Sequence, residues 1–223
     1  LAMDSTELVK RLTVLDTCAV SDALDSLGLN GVVTGLVRRS TNELVAGRVQ
    51  TVKLSMGTMP GGSSTHLGSR SIEEAWERDI IVVEQRSGVD AAGWGGVLAV
   101  AAKAKGIQGV IVEGPARDID EYQKIGFPVF SRSTTPRTAR GRIHESGINV
   151  EIKVGDINVS AGDLVIADGT GVVFVPIRIA EVVIEKAEKI VALEKSMCER
   201  VLTGQPITKV MGKDYETLLE TQN

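Results

Sequence analysis

The chain has 223 residues, long enough for one domain with a sizeable core, and its 43% hydrophobic and 24% charged residues are typical of a soluble globular protein. The net charge of −4 comes without a basic run, so we expect no nucleic-acid partner. No apolar run reaches the roughly 18 residues of a membrane span, no secretory signal is visible, and Cys18 and Cys198 are too far apart for a metal knuckle or a disulfide framework. We therefore expect a cytoplasmic protein without membrane contacts.

The N-terminal third is predicted to be mainly helical. Leu8, Leu12 and Leu15 have helical spacing, and Gly28 ends a second helical pattern in the usual way of a C-terminal cap. The predicted elements are helices over residues 8–16, 18–28 and 66–77 and a strand over residues 43–55. Leu1-Ala2, before Met3, is interpreted as a cloning remnant.

A strand, a helix and a second strand are predicted for the middle of the chain. Residues 79–85 and 109–114 are short apolar runs of the type found in buried strands, and residues 97–106 form a helical pattern after a Gly-rich loop. The two strands should be parallel, with a right-handed crossover. The pattern indicates an α/β domain that contains a βαβ unit.

The C-terminal half predicts an added antiparallel β layer and a long amphipathic helix. A short helix over 115–126 and a strand over 128–133 come first. The strands of the added layer are predicted over residues 140–145, 148–159 and 163–176, with tight turns at Gly155-Asp156 and Asp168-Gly169. The helix carries one apolar stripe, made of Ile179, Val183, Ala187, Ile190, Leu193, Met197 and Val201, and ends at Gly204. We interpret residues 1–223 as a single domain in which residues 177–223 are an extension that packs on a neighbouring subunit.

Two segments are candidates for a ligand site, because ligands of parallel sheets bind at the carboxyl ends of the strands. Gly95, Gly96, Val97 and Leu98 begin a helix, where free backbone amides and the helix dipole favour an anion. Arg117-Asp118 follows the next strand: the guanidinium suits a carboxylate, and the Asp oxygens suit Mg²⁺ or Mn²⁺. Together they predict a pocket for a small 2-oxo acid.

Simpler interpretations of the same residues stay open. Asp118-x-x-Glu121 is also a helix-capping pattern, Arg117 could be solvated, and the Gly pair could be a hinge.

The remaining candidates carry weaker signals. His66 and His144 are isolated histidines of the kind that is usually structural or exposed. Lys103 and Lys105 could in principle form a Schiff base, but a solvated lysine is the more common case.

The stretch GWGGVLAVAAKAKGIQGVIVEGPARDIDEYQKIGFPVFSRSTTPRTARGRI resembles the signature region of the RraA-like family, which includes 4-hydroxy-4-methyl-2-oxoglutarate aldolase and the regulator of ribonuclease activity. The segments CAVSDALDSLG, STHLGSRSIEEA and GDINVSAGDLVIADGTGVVFVP resemble further parts of that family, so the similarity covers nearly the whole chain. The resemblance implies a swivelling β/β/α fold and a ring-shaped homotrimer, or a dimer of such trimers, with sites between subunits.

The resemblance also implies roles for individual residues. Arg117 would bind the substrate carboxylate, Asp118 would hold the divalent metal, and the amides of residues 95–98 would bind substrate. Glu194, from the neighbouring subunit's terminal helix, would orient metal-bound water. One departure stands out: the aldolases have an acidic residue at the place of Gly96, and losing such a partner typically lowers metal affinity or activity about 10–100-fold.

The expected function is therefore a metal-dependent carbon–carbon lyase that cleaves a 4-hydroxy-4-methyl-2-oxoglutarate-type substrate, decarboxylates oxaloacetate, or does both, through a pyruvate enolate. The alternative is a non-catalytic regulatory binding protein, which the missing acidic residue at Gly96 favours. A lysine-dependent aldolase is a further alternative. The sequence names neither the physiological substrate nor the general base.

Overall fold

The computed structural model describes residues 4–59, 61–62 and 65–212. Leu1-Ala2, interpreted as a cloning remnant, and the last part of the predicted 177–223 extension lie outside the described residues.

Two helices begin the described chain, strands and helices alternate in its middle, and a run of strands then precedes a long helix. The helices are α1 (Ser5–Leu12), α2 (Thr17–Asp25), α3 (Ser69–Glu74), α4 (Gly96–Ala104), α5 (Ile119–Ile125), α6 (Ala180–Leu202) and α7 (Ile207–Val210). The strands are β1 (Val32–Val33), β2 (Val37–Arg38), β3 (Val45–Met56), β4 (Ile80–Glu84), β5 (Gly109–Ala116), β6 (Val129–Thr134), β7 (Ile143–Ile148), β8 (Ile152–Val154), β9 (Ile157–Val159), β10 (Leu164–Ala167) and β11 (Val172–Val175).

Within the described residues, nine strands form one curled sheet in the order β1-β11-β10-β3-β4-β5-β6-β2, with β7 paired to β3. Strands β3 to β6 run parallel, so the predicted βαβ unit, β4-α4-β5, is confirmed. The antiparallel strands β10, β11 and β1 continue the same sheet on the other side of β3. The α/β class and the swivelling β/β/α architecture are thereby confirmed.

Strand β3 joins the two halves of the sheet. Its first residues pair with β10, its middle pairs with β4, and its last residues pair with β7 across a register shift at Lys53/Leu54. Both faces of β3 are covered, because Val49 packs into one apolar cluster and Val52 into another.

Three apolar clusters fill the molecule. The inner cluster lies within the curl and includes Val49 and Phe130, with Ile152 and Val154 of the β8–β9 hairpin packed into it. A second cluster buries α4 and α5 against the parallel strands around Trp94. The third packs α1, α2 and α6 together on β10 and β11. Helix α4 is thus fixed on the sheet next to the strand ends where the ligand site is predicted.

Two parts of the fold differ from the predictions. The helix predicted over 66–77 is only Ser69–Glu74, because Gly68 precedes it in the left-handed conformation (φ 79°) and donates its amide to Glu145 Oε2 at 2.8 Å. The two-residue strands β1 and β2, at the two edges of the sheet, were not predicted, since such short pairs leave no periodic pattern in the sequence.

The terminal helix forms as predicted, but much of its apolar stripe packs within the chain. Of the predicted stripe, Val183, Ala187 and Ile190 are buried in the cluster with α1 and α2, and Arg11 binds Glu188 through two contacts of 2.7 Å. Leu202, by contrast, is 86% exposed. Packing on a neighbouring subunit therefore stays a prediction, and it concerns the distal part of α6. Across the described ranges, every helix is too short or too polar to cross a membrane.

Candidate functional site

The loop before α4 is held against the end of β5, and this pairing creates the site. The Gly93 amide donates to the Pro115 carbonyl at 2.8 Å, and the Arg117 amide donates to the Trp94 carbonyl at 3.2 Å. These bonds tie the loop before α4 to the last residues of β5 and to the residue that follows it. They bring the start of α4 beside Arg117 and Asp118, as the parallel topology predicted.

The backbone of Asp118 lies in the left-handed region, with φ 62° and ψ 39°, which is uncommon for a residue other than glycine. Its side chain makes no capping bond to α5. Instead, Oδ2 accepts a hydrogen bond of 2.8 Å from the Gly96 amide and lies 3.3 Å from Arg117 Nε. The alternative that Asp118 is a side-chain cap of α5 is therefore wrong, because the carboxylate points across to α4.

The predicted substrate-binding residues line one cavity of about 290 Å³. Gly95, Gly96, Val97, Leu98 and Arg117 all contribute to its wall. The Gly96 amide binds Asp118, so it is not available to a substrate. The amides of Val97 and Leu98 belong to the first turn, which has no acceptors within the helix; the first such bond runs from the Ala99 amide to the Gly95 carbonyl at 3.1 Å.

Glu121 occupies the space that the missing acidic residue would need. A Cβ atom placed on Gly96 would lie 1.8 Å from Glu121 Oε2 and 3.3 Å from Asp118 Cβ. The Glu121 carboxylate therefore reaches the start of α4 beside Asp118. Glu121 was predicted only as a capping partner, although its spacing of three residues from Asp118 places the two carboxylates on one side of a helix start.

The two carboxylates fit a hard divalent cation. Mg²⁺ is commonly bound by one or two carboxylates and keeps several positions for water and substrate. Over residues 4–59, 61–62 and 65–212 there is no group of three or more His, Cys, Asp or Glu side chains arranged to hold a metal. One protomer thus offers the pair Asp118 and Glu121, and further ligands would have to be water, substrate or a neighbouring subunit.

Glu194 lies elsewhere on this protomer. It is on α6, and burial together with the negative charges of Asp16 and Asp22 raises the pKa of its carboxyl. It does not line the cavity that contains Arg117. Its predicted role in a neighbouring subunit's site stays a prediction.

Two further side chains line the cavity. His66 and Arg140 form part of its wall, and the pKa of His66 is lowered by burial and by the positive charges of Arg140 and Arg117. Neither was predicted as a site residue, because nothing in their spacing connects them with residues 95–118.

Other candidates from the sequence have local structural roles. His144 Nδ1 bonds the Gly57 carbonyl at 3.1 Å, Lys103 Nζ bonds the Ile125 carbonyl, and Lys105 Nζ donates to the Glu73 carbonyl at 3.2 Å. Cys18 and Cys198 are free and exposed. Neither lysine lines the cavity, so a Schiff-base site at Lys103 or Lys105 has no support.

Curated relatives include aldolases. A 4-hydroxy-4-methyl-2-oxoglutarate aldolase of Thermus thermophilus is 27% identical over 131 residues, covering 59% of this chain and 75% of the relative. A protein of Halalkalibacterium halodurans, named provisionally for the same activity, is 30% identical over 183 residues, which are 82% of this chain and 83% of that protein. The chain also matches protein DlpA of Legionella pneumophila at 22% identity, and there it spans only 34% of the relative's length.

Solved structures share the fold. An uncharacterized protein from Pseudomonas syringae superposes with a TM-score of 0.83 at 27% identity, covering 93% of this chain and 98% of that one. RraAS2 of Streptomyces coelicolor, described as an unusual member of the RNase ES inhibitor RraA family, has a TM-score of 0.76 at 24% identity and covers 87% of this chain and 96% of its own. The profile of the RraA-like (Aldolase/RraA) family matches residues 17–174. The chain therefore belongs to the RraA-like family.

Proposed function

We propose that the protein is a divalent-metal-dependent carbon–carbon lyase that releases pyruvate from a small 2-oxo acid, by aldol cleavage of a 4-hydroxy-4-methyl-2-oxoglutarate-type substrate, by decarboxylation of oxaloacetate, or by both. The observation that carries the proposal is the placement of two carboxylates, Asp118 and Glu121, against the start of α4 beside Arg117. Relatives named as aldolases at about 30% identity support the reaction class.

Asp118 and Glu121 would hold Mg²⁺ or Mn²⁺. When bound, the cation supplies positive charge that stabilises the negative charge developing on the 2-oxo oxygen of the substrate. The hydrogen bond from the Gly96 amide to Asp118 fixes one carboxylate against α4, so one of the two residues that would hold the metal is bonded to a residue of the cavity wall.

Arg117 binds the substrate carboxylate. Its side chain is 38% exposed and faces the cavity, where a planar guanidinium can donate two parallel hydrogen bonds to a carboxylate. The first-turn amides of Val97 and Leu98 add donors, and the positive end of the α4 dipole adds to the attraction for an anion.

The bond changes are those of a pyruvate lyase. In cleavage, the hydroxyl at C4 loses its proton, the C3–C4 bond breaks, and its electron pair moves into the pyruvate enolate, which is then protonated at C3. In oxaloacetate decarboxylation the leaving carbon departs as CO₂, and no hydroxyl proton has to be removed. Decarboxylation of oxaloacetate therefore needs no general base for a hydroxyl proton, whereas aldol cleavage does.

A regulatory binding protein is the second candidate, because the Streptomyces coelicolor structure belongs to a protein family of RNase inhibitors. Gly96 was the sequence feature that favoured it. Glu121 fills the place of the missing carboxylate, so Gly96 no longer argues against a metal site. The lyase is the better supported proposal.

Pyruvate release from a panel of 2-oxo acids, measured with Mg²⁺ or Mn²⁺ and again with EDTA, tests the function. We expect release from 4-hydroxy-4-methyl-2-oxoglutarate or oxaloacetate that EDTA abolishes and added metal restores. Absence of release from every compound, with binding to a ribonuclease partner, would favour the regulatory alternative.

A further inference from the structure

The cavity beside Arg117 continues into a second cavity of about 330 Å³. The two share His66, Leu67, Ala139 and Arg140. His66 therefore stands at the junction between the place proposed for the 2-oxo acid head and the space into which the rest of a substrate would extend.

The backbone around His66 is fixed by specific contacts. The His66 carbonyl accepts the Ser69 amide at 3.2 Å, and the Gly68 amide donates to Glu145 Oε2 at 2.8 Å. A Cβ atom on Gly68 would lie 2.9 Å from Trp94 Cζ3, so this corner packs directly on the residue that precedes Gly95. The position of His66 is thereby linked to the start of α4.

The His66 ring is chemically available. Among the described residues, it has no hydrogen-bond or ion-pair partner, whereas His144, the other histidine, bonds the Gly57 carbonyl through Nδ1 at 3.1 Å. The titratable groups that line the cavities with His66 are the cations Arg117, Arg140 and Arg70 and, in the second cavity, His144 and Glu145. Burial and the positive charges of Arg140 and Arg117 lower the pKa of His66 and favour the neutral imidazole, the form that can accept a proton.

We propose that His66 is the general base of the aldol cleavage, removing the proton of the substrate hydroxyl as the C3–C4 bond breaks. This inference rests on the proposed lyase function and adds the residue that sequence analysis could not identify. The hydroxyl oxygen keeps the electron pair of its O–H bond and becomes the carbonyl of the leaving fragment. The C3–C4 pair becomes the enolate, and the imidazolium returns its proton to C3, which gives pyruvate without any further reactant.

Arg117 and Arg140 affect how strong a base His66 is before and after substrate binds. In the free protein they disfavour a charged imidazole next to them. When carboxylates of the substrate bind at Arg117 and Arg140, their negative charges offset the two cations, so the ring becomes a stronger base in the complex than in the free protein.

The test compares His66→Ala with the wild-type protein and with Lys105→Ala, whose residue lines neither cavity, on two substrates, 4-hydroxy-4-methyl-2-oxoglutarate and oxaloacetate, with Mg²⁺ present. We expect His66→Ala to lower kcat for cleavage about 10²–10⁴-fold, the usual contribution of general acid–base catalysis, while decarboxylation is retained. Added imidazole should restore part of the cleavage rate. Proton exchange at C3 of pyruvate in D₂O, followed by NMR, should slow in the same variant.

The possible results separate this inference from the function on which it rests. Equal losses of cleavage and decarboxylation, or undiminished cleavage, in folded His66→Ala would overturn the role of His66 and leave the lyase standing. Failure of the wild-type protein to release pyruvate from either compound would overturn both. If His66→Ala does not fold, His66→Gln, which keeps the size of the side chain, is expected to show the same selective loss.

Discussion

The Gly96 amide and the Asp118 carboxylate are joined by a hydrogen bond of 2.8 Å, although 22 residues separate them in the chain. The bond turns Asp118 away from its own helix α5 and towards α4, where Glu121 also reaches. Substitutions at these residues therefore test the proposed site.

Asp118→Asn should abolish metal-dependent pyruvate release while the protein stays folded. The amide oxygen of Asn can still accept the Gly96 hydrogen bond, and Asn tolerates the left-handed backbone, but the charge that holds the metal is lost. The loss should exceed the 10–100-fold typical of an outer-shell partner. Kinetics and Mg²⁺ titration calorimetry measure the effect, with Asp120→Asn, an exposed neighbour, as the control. Full activity in Asp118→Asn at saturating Mg²⁺ would remove Asp118 from the metal site.

Gly96→Asp should lower activity instead of improving it. Its Cβ would overlap Glu121 Oε2 at 1.8 Å and bring a third carboxylate next to Asp118. Removing Glu121 makes room, so the double variant Gly96→Asp with Glu121→Ala should recover Mg²⁺ binding that Glu121→Ala alone loses. Calorimetry on the three variants measures this coupling. Additive effects in the double variant would mean that the side chains at 96 and 121 do not share one place.

Glu194 should act on a neighbouring subunit's site. Glu194→Gln is then expected to reduce turnover, and mixing it with inactive Asp118→Asn after joint refolding should restore activity, because hybrid assemblies contain sites with both native residues. Light scattering should give a mass about three times the 23.7 kDa of one chain. A monomeric mass at micromolar concentration, or mixtures no more active than their components, would contradict the shared site.

Asp168 should stabilise the fold in a pH-dependent way. Burial raises the pKa of its carboxyl, but hydrogen bonds from Thr17, Thr170 and Gly171 outweigh burial and leave the pKa below its ordinary value. A lowered folded-state pKa means that the stabilisation is complete above the unfolded-state pKa of about 3.9 and is lost as the pH falls through the lower folded value.

Asp168→Ala should therefore lower the free energy of unfolding by about 1–2 kcal/mol at pH 7, because the carboxylate accepts both the amide and the hydroxyl of Thr17 at the start of α2. Urea unfolding at pH 7 and at pH 3 measures the difference, which should shrink in acid. Asp156→Ala, in the β8–β9 turn, is the control. A difference that grows in acid would contradict the direction of the shift.

The sequence predicts those parts of the fold whose signals are local and repeated. Strands β4 and β5 are continuous apolar runs, α4 follows a Gly-rich loop, and the parallel βαβ arrangement then places residues 95–98 beside Arg117-Asp118. Strands β1 and β2 escape prediction because two residues cannot show a period, and their pairing depends on distant parts of the chain.

The part of the candidate site that the sequence does not predict depends on the backbone conformation of Asp118. Whether Asp118 caps α5 or reaches α4 is decided by a positive φ of 62°, which sequence spacing does not reveal. The position of Glu121 follows from that turn. His66 is brought to the cavity by the tight contact of Gly68 with Trp94, a relationship between segments that share no motif.

The left-handed backbone of Asp118 has a consequence for engineering. Such a conformation costs a non-glycine residue of the order of 1–2 kcal/mol. A screen for heat resistance would therefore select substitutions at residue 118 that suit this backbone, Gly above all and Asn next. Variants selected at this position would be more stable but would lack the proposed metal ligand. A stabilised form of this chain should therefore be selected with Asp118 unchanged.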